Sequence, residues 1–137
     1  MALYRSDVSG AFGRVDKQRL LLKLTALGVS ADLLRVLGSW LDRRSAHVIV
    51  DGKESRAIPM EDMVYQGTVF GPFLWNAFFA DAGLAVAAAD FLQLMFADDL
   101  NAIRILEPGV ADAEAFTFIR ECQSRLHRWG LANGRCV

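Results

Sequence analysis

The stretch Phe96-Ala97-Asp98-Asp99 places two adjacent carboxylates between two apolar segments, residues 91–95 and 100–106. Short apolar segments on both sides of a polar turn predict two strands joined by a hairpin. Carboxylates in a run suited to burial cost several kcal/mol of desolvation unless a cation or hydrogen-bond donors compensate them. A metal site is one explanation, and an ordinary hairpin turn, where Asp is common, is the other.

Two upstream stretches help to choose between these explanations. They are Asp7-Val8-Ser9-Gly10-Ala11-Phe12 and Gln66-Gly67-Thr68-Val69-Phe70-Gly71-Pro72, and the second continues into Phe73-Leu74-Trp75-Asn76. In this order and at these separations, the three stretches resemble motifs A, B and C of the reverse transcriptase palm, particularly that of non-LTR retrotransposons. The resemblance extends from about Ser6 to Asn133, with a motif D beginning near Leu126.

The resemblance implies a metal-dependent nucleotidyltransferase, an RNA-directed DNA polymerase. By this resemblance Asp7 and Asp98 carry two Mg²⁺ ions, for which Mn²⁺ is an alternative, and Asp99 is the second aspartate of motif C. Two or three carboxylates suffice from the protein, because Mg²⁺ keeps waters and substrate phosphates as its other ligands. His47 and His127 are therefore expected at the surface or at a helix end, not at a metal.

The resemblance also implies where substrates bind. Phe12 lies at the position of the aromatic gate beneath the incoming sugar, although it could equally be a core phenylalanine. Gln66 and Gly67 match motif B positions that approach the incoming nucleotide and the template, and a glycine lets a base pair come close. The implied partners are an RNA template, a DNA primer and deoxynucleoside triphosphates.

Composition bounds these expectations. The 137 residues predict one domain, and the net charge of −1 does not indicate a strongly basic nucleic-acid binder. Cys122 and Cys136 do not form a disulfide framework and are expected as free or buried thiols. The first residues do not have the pattern of a signal peptide. The uncharged stretch 63–80 is interrupted by Gly71 and Pro72, so no membrane span is expected.

Local patterns predict an α+β fold, an antiparallel palm-like sheet with helices packed on one face. Asp16 and Ser30 are expected to cap two helices, the first of which ends at Leu27 and is closed by Gly28. Residues 47–50 and 53–58 are predicted as strands around an Asp51-Gly52 turn. The remaining predictions are a buried helix over 72–89, strands over 91–97 and 100–105 with both aspartates at their turn, and an amphipathic helix over 112–129. In the second helix, the side chains expected in the core are Leu33, Leu34, Leu37, Trp40 and Leu41.

Some features depart from the family pattern. Gly13 stands where related elements usually have an aspartate, and its presence is expected to weaken the turn and the following helix cap. The sequence has no room for the fingers and thumb of a working polymerase, and Arg135 is a poor substitute for the motif D lysine, because a guanidinium is a poor general acid. We therefore expect a partial domain, residues 1–137, that belongs to a longer polyprotein and is inactive alone. A catalytically dead binding or interaction module and a pseudogene product are the alternatives.

Overall fold

The structure is a computed structural model that describes residues 1–60 and 63–134. Short strands and longer helices are mixed along the chain, which confirms the predicted α+β class. In chain order the elements are β1 (Ala2–Asp7), a 3-10 turn (Phe12–Arg14), α1 (Lys17–Ala26), α2 (Ala31–Leu41), β2 (Ser45–Ala46), β3 (Ile49–Val50), β4 (Lys53–Glu54), β5 (Ile58–Pro59), α3 (Gly71–Ala87), β6 (Leu92–Phe96), β7 (Asp99–Arg104) and α4 (Asp112–Ala132).

The main sheet is antiparallel, with the strand order β1-β7-β6. Strands β6 and β7 form the predicted hairpin, and Phe96 pairs with Asp99 across a two-residue turn. Both aspartates were expected in that turn, but only Asp98 lies there, because Asp99 already pairs as the first residue of β7. Strand β1 pairs with the other edge of β7, in a register that sets Asp7 opposite Asp99.

The helices α3 and α4 pack on one face of this sheet. On β7, Leu100 and Ala102 are buried beneath them, whereas the alternate residues of β6 point away. Phe96 is 82% exposed, although it was expected within a run suited to burial. Helices cover only one face of these strands. The desolvation cost of the two aspartates is therefore smaller than the apolar run predicted.

Helices α1 and α2 begin where their caps predict. The Asp16 side chain accepts a hydrogen bond of 2.7 Å from the amide of Arg19, and the Ser30 hydroxyl accepts one of 3.4 Å from Leu33. Gly28 adopts a φ of 83°, as expected for a glycine that follows a helix. The prediction that Leu33 lies in the core is wrong: packing buries Leu37 and Leu41 but leaves Leu33 44% exposed.

The segment between α2 and α3 forms an irregular hairpin. Asp51 and Gly52 make the predicted turn, and both have a positive φ. The predicted strands are split into two-residue ladders, β2 with β5 and β3 with β4. The ladder is interrupted at Ser55, because its hydroxyl, and not a backbone carbonyl, accepts the hydrogen bond from the Val48 amide at 3.0 Å.

Helix α3 starts one residue before Pro72 and ends at Ala87, close to the prediction. A stripe that includes Trp75, Phe78 and Phe79 is fully buried, but Phe73 and Leu84 are mostly exposed. The expectation of burial on most faces was therefore too broad. Helix α4 confirms the predicted amphipathic helix. Among the described residues, no helix combines the length and apolar character that a bilayer crossing requires.

Candidate active site

The β6–β7 hairpin presents the two aspartates at the end of the main sheet. Ala97 and Asp98 form its turn, and Ala97 has a φ of 52°, a conformation that costs an L-residue about 1–2 kcal/mol. Both aspartates are half-buried. The turn is fastened to the core by Trp75, whose indole Nε1 donates a hydrogen bond of 2.8 Å to the Ala97 carbonyl oxygen.

Asp7 reaches the same end of the sheet from β1. Because Asp7 and Asp99 are directly opposite on neighbouring antiparallel strands, their Cα atoms lie about 4.5–5.5 Å apart and their side chains project from the same face. Like charges at opposed positions repel. The Arg5 guanidinium compensates part of this charge, since its Nη2 lies 3.2 Å from one Asp99 carboxylate oxygen.

Motifs A and B meet beside the hairpin. The Val64 amide donates a hydrogen bond of 2.8 Å to the Phe12 carbonyl oxygen, which joins the segment before motif B to the 3-10 turn after Asp7. The Phe12 ring is half-buried and lies 5.5 Å from the Trp75 ring, centroid to centroid. Phe12 therefore packs on the core, as a core phenylalanine would, and it also borders a cavity.

A cavity of about 470 Å³ opens between the three motifs. It is lined by Gly10, Ala11, Phe12, Gly13, Gln66, Gly67, Pro72, Ala97 and Asp98. The fold thus brings Phe12, Gln66, Gly67 and Asp98 together around one cavity. Asp7 and Asp99 do not line it, but they form the adjacent cross-strand pair.

Two glycines that line this cavity have roles different from those predicted from the sequence. Gly67 has a φ of 86°, and a Cβ built on it meets no atom of the described residues within 4 Å. Its glycine is therefore required by the backbone conformation, not by the crowding of protein atoms. Gly13 was expected to weaken the following helix cap, but that cap is supplied by Asp16, and position 13 does not contribute to it.

The carboxylates suit a divalent metal by donor type, since Mg²⁺ and Mn²⁺ prefer oxygen ligands. A cation would also relieve the repulsion between Asp7 and Asp99. Over residues 1–60 and 63–134, no three carboxylate, imidazole or thiol side chains approach closely enough to hold a metal ion. Asp7, Asp98 and Asp99 are therefore neighbours, but they do not form a closed ligand cage.

The sequence also drew attention to two histidines and two cysteines outside the three motifs. Cys122 is a free, buried thiol in α4, and burial raises its pKa. His47 and His127 are exposed, as expected. Arg135 and Cys136, which the sequence also singled out, lie outside the described residues.

Two residues that matter to the geometry were not predicted from the sequence. Trp75 was quoted only as part of a motif, yet it holds the hairpin turn that carries Asp98. Arg5 carried no motif signal, although its position two residues before Asp7 sets both side chains on the same face of β1. That alternation was the one signal in the sequence that could have identified it.

Comparisons with known proteins identify the family of this chain. Residues 2–132 match the family model described as reverse transcriptase (RNA-dependent DNA polymerase). The chain is 31% identical over 130 residues to the RNA-directed DNA polymerase from mobile element jockey of Drosophila funebris, an alignment that covers 91% of this chain and 14% of that protein. It is 37% identical over 98 residues to the protein of the same name from Drosophila melanogaster, covering 68% of this chain and 11% of that one. The chain spans only 14% of the length of the Drosophila funebris relative. Because the family model matches residues 2–132, nearly the whole length, the chain belongs to the reverse transcriptase family.

Proposed function

We propose that the chain is the palm of an RNA-directed DNA polymerase from a non-LTR retrotransposon, one partial domain of a longer polyprotein. Its reaction would transfer deoxynucleoside monophosphates from deoxynucleoside triphosphates to the 3′-hydroxyl of a DNA primer on an RNA template, with pyrophosphate as the leaving group. The observation that carries this proposal is the convergence of motifs A, B and C, with Asp7 opposite Asp99 and Asp98 beside a cavity of about 470 Å³.

The proposed metal ligands are Asp7 and Asp98, with Asp99 in a supporting role. Two divalent ions bound there would stabilise the attacking 3′-oxygen and the leaving oxygen of the α-phosphate. The protein would contribute carboxylate oxygens from β1, from β7 and from the turn between β6 and β7. Placement on a paired sheet end limits the movement of these side chains, which is what a preorganised site needs.

The cavity is the proposed site of the incoming nucleotide. Phe12 would lie beneath its sugar, since the ring is held on one side by Trp75 and borders the cavity on the other. Gln66 supplies an amide donor and acceptor at the rim. The exposed space beside Gly67 leaves its backbone accessible to a base pair.

Binding of Mn²⁺ to the purified chain, followed by electron paramagnetic resonance, tests the metal site. Asp7→Asn and Asp98→Asn are each expected to weaken binding at least tenfold, because each removes one charged ligand. Asp90→Asn is the matched control. Asp90 precedes β6, at the opposite end of that strand from Asp98, and has a φ of 61°, which Asn also tolerates. Equal losses in all three variants, or none, would contradict the proposed ligands.

A second candidate is a binding module that keeps the fold without turnover. The engagement of Asp99 by Arg5 favours it, because a positive charge beside these carboxylates opposes a bound cation. Primer extension on an RNA template with the isolated chain is expected to give no product under either proposal, because fingers and thumb would lie in the rest of the polyprotein. Mn²⁺ binding that depends on Asp7 favours the polymerase palm, whereas RNA binding without it favours the module.

A further inference from the structure

We propose that Arg5 is a positioning residue that holds Asp99 in the metal-free chain and competes with a divalent cation for this carboxylate. The inference rests on the proposed function, because it concerns the same pair of aspartates. Arg5 lies outside motifs A, B and C. Its proposed role is to hold a carboxylate of the site in the absence of a cation.

The geometry of Arg5 follows from the register of the sheet. Arg5 pairs with Asn101, and Asp7 pairs with Asp99, so Asp99 lies diagonally across from Arg5 on the same face. The Arg5 Nη2 donates to both oxygens of Asp99, at 3.2 and 3.3 Å. A long side chain can span this diagonal, and here one nitrogen occupies both oxygens that a cation would use.

The charges of Asp7, Asp99 and Arg5 explain why a bound cation would be stabilised at this position. Asp7 and Asp99 face each other directly, and Arg5 carries a positive charge beside them. Arg5 thus supplies a permanent positive charge that partly neutralises the pair. The side chains of Arg5 and Asp99 are 68% and 38% exposed, so the ion pair is weak enough for a divalent ion to displace it.

Mn²⁺ affinity of the full 137-residue chain tests the inference. Arg5→Leu is expected to tighten Mn²⁺ binding about two- to fivefold, because a cation then no longer has to displace the guanidinium from Asp99, and an exposed ion pair is worth little. Arg5→Lys should stay close to the unsubstituted chain, since it keeps the charge. Arg35→Leu, which removes an exposed arginine paired with Asp32 on α2, is the matched control and should leave affinity unchanged.

The dependence on Asp99 distinguishes positioning from a general charge effect. In an Asp99→Asn background, Arg5→Leu should change Mn²⁺ affinity less than twofold if Arg5 acts mainly through that carboxylate. The urea midpoint in EDTA gives a readout without metal, and Arg5→Leu should lower it. Adding Asp7→Asn to the Arg5→Leu variant should raise the midpoint more than Asp7→Asn does in the chain that keeps Arg5. Weaker or unchanged Mn²⁺ binding in Arg5→Leu would overturn the inference.

The two proposals can fail separately. If Mn²⁺ binds and depends on Asp7 and Asp98 but not on Arg5, the metal site stands and the role of Arg5 is wrong. If neither the unsubstituted chain nor Arg5→Leu binds Mn²⁺, the proposed metal site fails, and the competition proposed for Arg5 fails with it.

Discussion

The Trp75 indole and the Ala97 carbonyl join helix α3 to the tip of the β6–β7 hairpin through a hydrogen bond of 2.8 Å. Trp75 is fully buried, and its ring stacks on that of Phe79 at 5.1 Å between centroids. The turn that carries Asp98 is therefore fixed from the core and not from the solvent side. Two consequences follow, one for stability and one for local opening.

Trp75→Phe is expected to lower the free energy of unfolding by about 1–3 kcal/mol, because the Ala97 carbonyl loses its donor and the smaller ring leaves a gap. Urea denaturation measures this loss. Amide hydrogen exchange over residues 96–100 should also become faster, since the turn opens locally at lower cost.

Trp129→Phe is the matched control for this prediction. It removes an indole hydrogen bond of 2.7 Å to Asp81 within the same aromatic cluster, where the Trp129 ring lies 5.4 Å from that of Phe79. A similar loss of stability is expected, without the faster exchange over residues 96–100. If both variants accelerate exchange in the hairpin equally, the specific role assigned to Trp75 is wrong.

Gly83 on α3 lies against the side chain of Gln93 on β6. A Cβ added there would overlap the Gln93 side-chain oxygen Oε1, which is buried and has no hydrogen-bond partner among the described residues. Gly83→Ala should therefore destabilise the chain by up to about 1 kcal/mol, because the Gln93 amide must leave its buried position, a cost that the higher helix propensity of alanine partly offsets. The double variant Gly83→Ala with Gln93→Ala should recover part of this loss, because the obstructing amide is gone.

Gly38 is the internal control for helical glycines. In α2, a Cβ at position 38 would meet Leu21 at an ordinary contact distance of 3.5 Å. Gly38→Ala is expected to stabilise the chain by about 0.5–1 kcal/mol through reduced backbone entropy of the unfolded state. Thermal or urea unfolding of both variants should give opposite signs, and equal signs would contradict the packing described for Gly83.

The buried thiol of Cys122 predicts a pH dependence of stability. Burial raises the pKa of Cys122 in the folded chain, so the unfolded chain releases this proton first as the pH rises. Its contribution is complete below the ordinary thiol pKa of about 8.5 and declines as the pH rises from there through the folded value. Unfolding free energies measured between about pH 7 and pH 9.5 should fall more steeply in the unsubstituted chain than in Cys122→Ala. Parallel profiles would show that Cys122 does not contribute.

Local signals in the sequence predicted much of this fold. Asp16 and Ser30 cap helices because their side-chain oxygens accept hydrogen bonds from free backbone amides in the first turn. Each of these contacts joins residues less than four positions apart. Asp51 and Gly52 turn the chain because both tolerate a positive φ. These features depend on neighbours in the sequence, and they were therefore visible without coordinates.

Features that depend on distant partners were not predicted. The exposure of Phe96 and Leu33 depends on which faces other elements cover, and apolar spacing does not contain that information. The pair of Arg5 and Asp99 joins residues 94 positions apart, and it exists only because β1 pairs with β7 in one register. For the candidate site, the residues were identified from the motifs, whereas their arrangement required the sheet.

Ala97 provides the last prediction, because it holds the motif C turn in a conformation that suits glycine better. Its φ is 52°, and a two-residue hairpin turn with a positive φ at its first residue normally takes glycine there. Ala97→Gly removes steric strain of about 1–2 kcal/mol but adds backbone entropy to the unfolded chain, so a net gain of about 0.5–1 kcal/mol in unfolding free energy is expected. Ala80→Gly, at an exposed position inside α3, should instead lose about 1 kcal/mol. Urea denaturation of both variants measures these changes. A loss of stability in Ala97→Gly comparable to that in Ala80→Gly would mean that the hairpin tip is not strained.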